Sequence, residues 1–214
     1  MLELLNQGGL VAWVIVASGL VAVAVFLERV LHLHRARIKS EDFLAGILNN
    51  LKRGNVNEAM AICDDTPGPV ASIVRTAIVN RAAGLEALRS AIETVGRTEI
   101  ARMERRLVIL ATVAQVAPLF GLLGTVVGMI RSLQVMKAQA PLVQAGDVMG
   151  GLMQALVTTA AGLAVAVPCY IAFNFLVGKV EKIVIDMERS ASDIQAYFAG
   201  TNGSGNGAGE GKTP

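Results

Sequence analysis

The sequence predicts an all-α integral membrane protein with three transmembrane helices, the second and third extended into a cytoplasmic helical bundle. Three observations predict it. The first is long stretches with no charged residue. The second is the crowding of charge between them. The third is apolar residues recurring every three or four positions outside those stretches. Across the 214 residues, 53% are hydrophobic and only 17% charged, with a mean hydropathy of +0.55; an ordinary soluble domain carries about 25% charged residues. Thirteen Lys/Arg and ten Asp/Glu lie between Glu28 and Arg106, whereas Leu107 to Gly178 holds only Arg131, Lys137 and Asp147.

An apolar helix of about 20 residues crosses the hydrocarbon core. Leu4 to Leu27 qualifies, and so does Leu107 to Ile130. Val148 to Gly178 is longer than one crossing needs, so its span is placed at about Gly151 to Phe173. The first stretch has no basic residue before it, and Glu28-Arg29 follows at once. It reads as a retained helix rather than a cleaved signal. Glu28-Arg29 reads as an anchor at the end of the span or as a local pair.

Basic flanks set the orientation. Arg29, Arg35, Arg37 and Lys39 follow span one. Arg97, Arg102, Arg105 and Arg106 precede span two, and Lys179, Lys182 and Arg189 follow span three. The N-terminal flank has no Lys or Arg, and the loop between spans two and three has only Arg131 and Lys137. Residues 1–28 are therefore expected as the first span with a short external N-terminus, and 29–106 as a cytoplasmic helical region. Residues 107–178 are expected as a pore-lining hairpin and 179–199 as a cytoplasmic amphipathic helix, with the C-terminus inside.

The cytoplasmic parts read as helices. Ser40 caps one whose first turn holds Glu41 and Asp42, where negative charge complements the dipole. Phe43, Leu44, Ile47, Leu48 and Leu51 share a face, and Gly54 ends it. A short helix through Glu58 to Ile62 follows. Asp64 to Pro69 is a turn, and a further helix covers Val70 to Ala83. From Leu85 the pattern Leu85, Leu88, Ile92, Val95 runs into span two with no strong stop. After span three, Val180, Ile183, Val184, Met187, Ala191, Ile194 and Phe198 continue the helix into the cytoplasm. Spans two and three are thus read as parts of two helices of about 45–50 residues, roughly 70 Å each. Residues 200–214 are a Gly-rich flexible tail.

Several function classes find no support. No basic run is interleaved with aromatics, so no nucleic acid is expected as a partner. Cys63 and Cys169 are isolated, and His32 and His34 sit among arginines at the interface without further ligands. No metal site, cofactor or disulfide framework is read. No Ser/His/Asp grouping, HExxH motif or phosphate-binding glycine loop appears, so no enzyme is predicted.

The spans carry one conspicuous pattern. On span two, Ala114, Ala117, Gly121, Gly124, Thr125, Gly128 and Ser132 share a side. Span three repeats it with Gly151, Ala155, Thr158, Thr159, Gly162 and Ala166. Small residues permit close helix packing in lipid, which is the plain role for Gly121, Gly124, Gly128, Gly151 and Gly162. A second reading makes part of this face the wall of a narrow polar cavity, with Thr125, Thr158, Thr159 and Gln154 as its polar points and Gln115 as a further member. Against that, each threonine hydroxyl can bond its own backbone, and each Gln can bond between helices. Pro118 and Pro168 lie inside spans, where proline removes a backbone bond and kinks a helix. No acid lies within any span. A protein that relays protons across the core needs a titrating group there, so a second chain must supply it.

The run Ala117-Pro118-Leu119-Phe120-Gly121-Leu122-Leu123-Gly124-Thr125-Val126-Val127-Gly128-Met129 resembles the central signature of the MotA/TolQ/ExbB proton channel family. Ala155-Leu156-Val157-Thr158-Thr159-Ala160-Ala161-Gly162-Leu163-Ala164-Val165-Ala166-Val167-Pro168 resembles its third-span signature. The similarity in order and spacing extends over nearly the whole chain. It implies an ExbB- or TolQ-type subunit forming a homopentamer in the bacterial inner membrane. In this picture the pentamer surrounds a single-span partner of the ExbD or TolR type, whose membrane aspartate carries the proton. Proton flow then powers a TonB- or TolA-like protein for outer-membrane transport or, in a TolQ-type role, envelope maintenance. The positions matching Thr125 and Thr159 face the pore in that family. The chain departs from the pattern at Gln154, where many relatives have glutamate. A passive scaffold, whose small faces only pack helices, is the competing reading. The two differ in whether changing Thr125 and Thr159 abolishes ion-dependent work while assembly survives.

Overall fold

The structure, a computed structural model, describes residues 8–36, 40–139 and 145–206. The predicted span start at Leu4, the basic residues Arg37 and Lys39, the loop residue Gln144 and the tail from residue 207 lie outside the described residues, as do the side chains of His32, His34 and Asp147. Among the described residues there is no strand. The helices among the described residues are α1 (Gly9–Ala36), α2 (Ser40–Lys52), α3 (Val56–Asp65), α4 (Pro69–Val79), α5 (Leu85–Glu104), α6 (Leu107–Gln139) and α7 (Ala145–Asn206).

Most boundaries have a local cause. The chain leaves α2 through Gly54 at φ +79° and enters α5 through Gly84 at φ +88°, a left-handed conformation that side chains with a Cβ resist. Pro69 opens α4, where its missing N–H is no loss. Three sequence expectations shift. The helix expected to run to Ala83 stops at Val79, because Asn80 caps it: its backbone N–H donates to Thr76 O at 3.1 Å and its side-chain amide donates to the same carbonyl at 2.9 Å. The expected continuous helix into span two is interrupted at Arg105–Arg106, which form a turn between α5 and α6. The third-span helix is longer than expected, 62 residues, and runs to Asn206, past the Gly200 at which the tail is read to begin.

Among the described residues, three helical stretches are long and apolar enough to cross a membrane: Gly9–Leu31, Leu85–Gln139 and Val148–Gly200. The chain divides into two compact units, Met1–Val30 with Arg105–Val177, and Leu31–Glu104 with Gly178–Pro214. The first is apolar on its outside. Leu10, Leu20, Leu27, Leu119, Leu122 and Ile171 are all more than half exposed, as expected of helices whose solvent is hydrocarbon. The Glu28 carboxylate meets the Arg106 guanidinium at the start of α6.

The second unit is built like a small soluble bundle. Leu44, Ile47 and Leu51 of α2, Val70, Ile73, Val74, Ala77 and Ile78 of α4, and Leu88 and Ile92 of α5 are buried. Leu85, read as the first member of the α5 stripe, is 49% exposed and lies outside it. On α7, Val180, Ile183, Met187, Ile194 and Phe198 are buried at the spacing expected of an amphipathic helix. Arg189 Nη1 donates to Glu41 Oε1 at 2.5 Å and Arg75 Nε to Asp64 Oδ1 at 2.6 Å. Both pairs are more than half exposed, so each adds at most about 1 kcal/mol. On α5, the Arg97 guanidinium one turn on holds the Glu93 carboxyl below its usual range.

Cys63 lies in this core, 4% exposed. Burial, reinforced by Asp64 and opposed by Arg75, pushes its thiol up to about 11. The thiolate is the reactive form. In the folded protein at pH 7.5, Cys63 is therefore expected to alkylate with iodoacetamide at least about tenfold more slowly than free cysteine, and to reach the free rate in denaturant. Mass spectrometry of the Cys63 peptide measures both; equal rates before and after unfolding would contradict the burial.

Candidate functional site

The first unit is organised by the contact between α6 and α7. α6 buries Ala114, Ala117, Gly121, Gly124, Gly128 and Ser132 along one line. A Cβ added at Gly121 would lie 3.2 Å from both Thr158 O and Thr159 Cα. One at Gly162 would lie 2.7 Å from Ala117 O and 3.1 Å from Gly121 Cα. At Gly124 it would strike the Thr158 side chain, at Gly128 the Gly151 carbonyl, and at Gly151 the Ser132 hydroxyl. All five packing glycines read from the sequence lie in this contact. α1 joins from one side: Gly19 faces Val165, and Ala22 packs with Ala114 and Cys169.

The four polar points take different places. Thr158 is fully buried, and its hydroxyl donates to Gln154 O at 2.9 Å and Ala155 O at 3.0 Å. Gln154 is 4% exposed and links α7 to α6 and to the turn residue that precedes α1. Arg131 Nη1 donates to its Oε1 at 2.7 Å, and its Nε2 donates to Gly8 O at 3.4 Å. Thr125 and Thr159 are half-buried. Thr125 Oγ1 donates to Leu122 O at 2.5 Å. Thr159 Oγ1 donates to Ala155 O at 3.1 Å and reaches across to Gly121 O at 3.3 Å. The structure thus joins Thr158 to the glycine contact and Gln154 to a polar clasp at the Arg131 end of α6, and leaves Thr125 and Thr159 at the edge of the contact. Gln115 is exposed on α6. Pro118 and Pro168 lie within α6 and α7, and both helices continue through them.

The clasp was not read from the sequence. Arg131 appeared there only as a charge at the outer edge, and Ser132, whose hydroxyl donates to Val148 O at 3.0 Å, only as a small residue. Its signal was the hairpin register. With Gly128 facing Gly151, Arg131 and Gln154 are offset by about 9 Å along the antiparallel helices, a gap that the long arginine side chain spans.

Chemically, this site has hydroxyl and amide groups and one guanidinium. Asp147 is the only acid between Leu107 and Gly178, and among the described residues no cluster of His, Cys, Asp and Glu could hold a metal. Hydroxyls and amides donate and accept hydrogen bonds without changing charge near neutral pH.

Residues 65–189, which include α4 through α6 and the whole α6–α7 contact, match the MotA/TolQ/ExbB proton channel family. The chain belongs to this family. It is similar to a protein of Methanothermobacter thermautotrophicus described as an ExbB homologue of biopolymer transport, 26% identical over 87% of the chain and 66% of the relative. An ExbB-like protein of Synechocystis is 32% identical over 75% of the chain and 77% of the relative. The biopolymer transport protein ExbB of Aquifex aeolicus is 44% identical over 40% of the chain and 57% of the relative. The family match together with the three apolar helices makes this chain a multi-pass membrane protein of a transport family.

The glycine contact has a direct consequence. Gly128→Ala forces a methyl group against the Gly151 carbonyl and is expected to cost about 1–3 kcal/mol. Gly150→Ala, one residue from Gly151 and facing open space, is expected to be neutral. Thermal unfolding in detergent compares the two; equal midpoints would show that the backbones do not touch there.

Proposed function

We infer that this chain is the membrane shell of a motor driven by the proton motive force, an ExbB/TolQ-like subunit. In this reading a homopentamer in the inner membrane surrounds an ExbD/TolR-like single-span partner that supplies a membrane aspartate. The assembly energises a TonB- or TolA-like protein for outer-membrane transport. The observation that supports it is two half-buried threonines, Thr125 on one helix and Thr159 on the other, in a glycine-packed hairpin whose spans hold no carboxylate. Such a wall can hydrogen-bond a passing carboxyl group or its water, and it cannot titrate. A TolQ-type role in envelope maintenance differs in the partners engaged. The passive-scaffold reading draws support from Thr158 and Gln154, whose bonds are all spent inside the chain.

The carboxylate deficit gives the first test. The chain alone in liposomes with a proton gradient is expected to show no flux above background. Co-reconstitution with the single-span partner should allow flux, and replacing the partner's aspartate by asparagine should remove it. Robust proton flux through this chain alone would refute the reading, and so would flux that survives loss of the aspartate.

Orientation gives the second. Eleven basic residues flank the inferred inner ends of the spans, against Arg131 and Lys137 at the other side. In a background lacking Cys63 and Cys169, single cysteines replacing Asn6 or Gln144 should label from outside intact cells with an impermeant maleimide. Those replacing Asn55 or Ser192 should label only after permeabilisation. Labelling at Asn55 in intact cells would reverse the topology.

A further inference from the structure

In the first unit α1 is mostly exposed. Ala12, Ile15 and Ala22 are buried, whereas Leu10, Leu20 and Leu27 are 83%, 68% and 57% exposed. Apolar contact between such a helix and its neighbours gains little over contact with lipid. What fixes it is close approach, at Gly19 against Val165 and at Ala22 against Ala114 and Cys169, together with polar contact at its two ends. At one end Glu28 meets Arg106. At the other, Gln154 Nε2 donates to Gly8 O, a long bond of 3.4 Å. The two fastenings stand about 30 Å apart along α1, the thickness of the hydrocarbon core.

The chemistry of the second fastening is restrictive. Arg131 can only donate, and the Gly8 carbonyl can only accept. A group between them must accept on one side and donate on the other. The carboxamide does both: Gln154 Oε1 accepts from Arg131 Nη1 at 2.7 Å while Nε2 serves Gly8. A carboxylate could take the arginine, but it would set an acceptor against an acceptor at Gly8. Only its protonated form could serve both. The backbone is shaped to the amide as well. Gly9 opens α1 at φ +63°, and a Cβ there would lie 3.0 Å from Gln154 Nε2. Other charges stand off. From Gly8 to Leu27 the chain has none. Lys137 is about 9 Å beyond Arg131 along α6, and Asp147 about 10 Å back from Gln154 along α7.

We propose that Gln154 is a positioning residue, whose neutral amide fastens the start of α1 to the α6–α7 hairpin and keeps that fastening the same at every pH. Gln154 and Thr159 are five residues apart, about 140° round α7, so the fastening holds α1 on a flank away from Thr159. The role is the same for a motor shell and for a passive scaffold. In a membrane that carries a pH difference, α1 keeps its seat while the pH at that end changes.

Spin-label distances in the full chain, in lipid nanodiscs, test the assignment. Cys63 and Cys169 are alanine, and labelled chains are diluted with unlabelled ones. Labels replacing Leu10 and Met149, both exposed, read the Gln154 end. Labels replacing Leu27 and Val108, also exposed, read the Glu28 end. With Gln154 intact, the first pair should give one narrow distance at both pH 4.5 and pH 8.5. Gln154→Leu should widen that distribution at least about twofold at both pH values, because an unfastened end populates more than one position. Gln154→Glu should be wide at pH 8.5, where the carboxylate has no proton to donate, and narrow at pH 4.5. The second pair should stay narrow throughout. A Gln154→Leu distance as narrow as the native one would overturn the fastening. A Gln154→Glu distance unchanged between the two pH values would overturn the need for a donor and an acceptor in one group. Widening at both pairs would overturn the positioning role and make Gln154 a residue of general stability.

Discussion

The first unit depends on the backbones of α6 and α7 coming into contact. Lipid tails are as apolar as leucine, so burying leucine between two membrane helices gains little over leaving it outside. Close approach gains dispersion and short polar contacts, and it requires that no side chain stand between the backbones. Gly121, Gly124 and Gly128 on one helix and Gly151 and Gly162 on the other meet that requirement. Other features follow from the register they set. Thr158 is enclosed because Gly124 leaves it room. Thr159 reaches Gly121 O because the two backbones are adjacent. The exposed leucines point outward because the glycines have taken the inside.

The ends of the unit are tied by charge. At one end Glu28 of α1 meets Arg106 of α6. At the other, Arg131 is held by the neutral amide of Gln154, which also reaches Gly8. Hydrogen bonds to a charged group contribute about 1.5–3 kcal/mol, more than neutral ones. A glutamate at Gln154 would neutralise Arg131. Glutamine holds Arg131 by a hydrogen bond and leaves its positive charge at that end.

Much of this was legible in the sequence, for specific reasons. Glycine at three- and four-residue spacing in a charge-free stretch has few other uses, so the packing face could be read directly. The long apolar runs gave the spans, and the three-four pattern gave the inner half of α7. What the sequence hid was partner choice. Thr158 and Thr159 are adjacent and chemically identical, yet one faces the α6 glycines and the other the edge, and only the register of the hairpin separates them. Arg131 and Gln154 are 23 residues apart and meet through the same register. Glu28 meets Arg106, a partner too distant in sequence for local reasoning to reach. The end of α4 was misplaced because Asn80 caps as well as glycine does and sits four residues earlier than Gly84.

In the proposed motor, a shell without its own titrating group would suit a proton carrier that must move past it. A carboxylate fixed on the wall at Thr125 or Thr159 would repel the ionised carrier, or share a proton with its neutral form in a strong charged hydrogen bond. Either would separate the energies of successive positions by several times thermal energy and hold the carrier at one of them. A hydroxyl already bonded to its own backbone would offer such a carrier one modest interaction, the same at each subunit of the proposed ring, and takes no net charge. The glycine contact matters for the same reason. With only small side chains between α6 and α7, such as Thr158 and Ser132, there would be little to rearrange as the proposed carrier passes. The absence of acid and the abundance of glycine are thus two sides of one requirement, a wall that is polar at one level, uncharged and stiff.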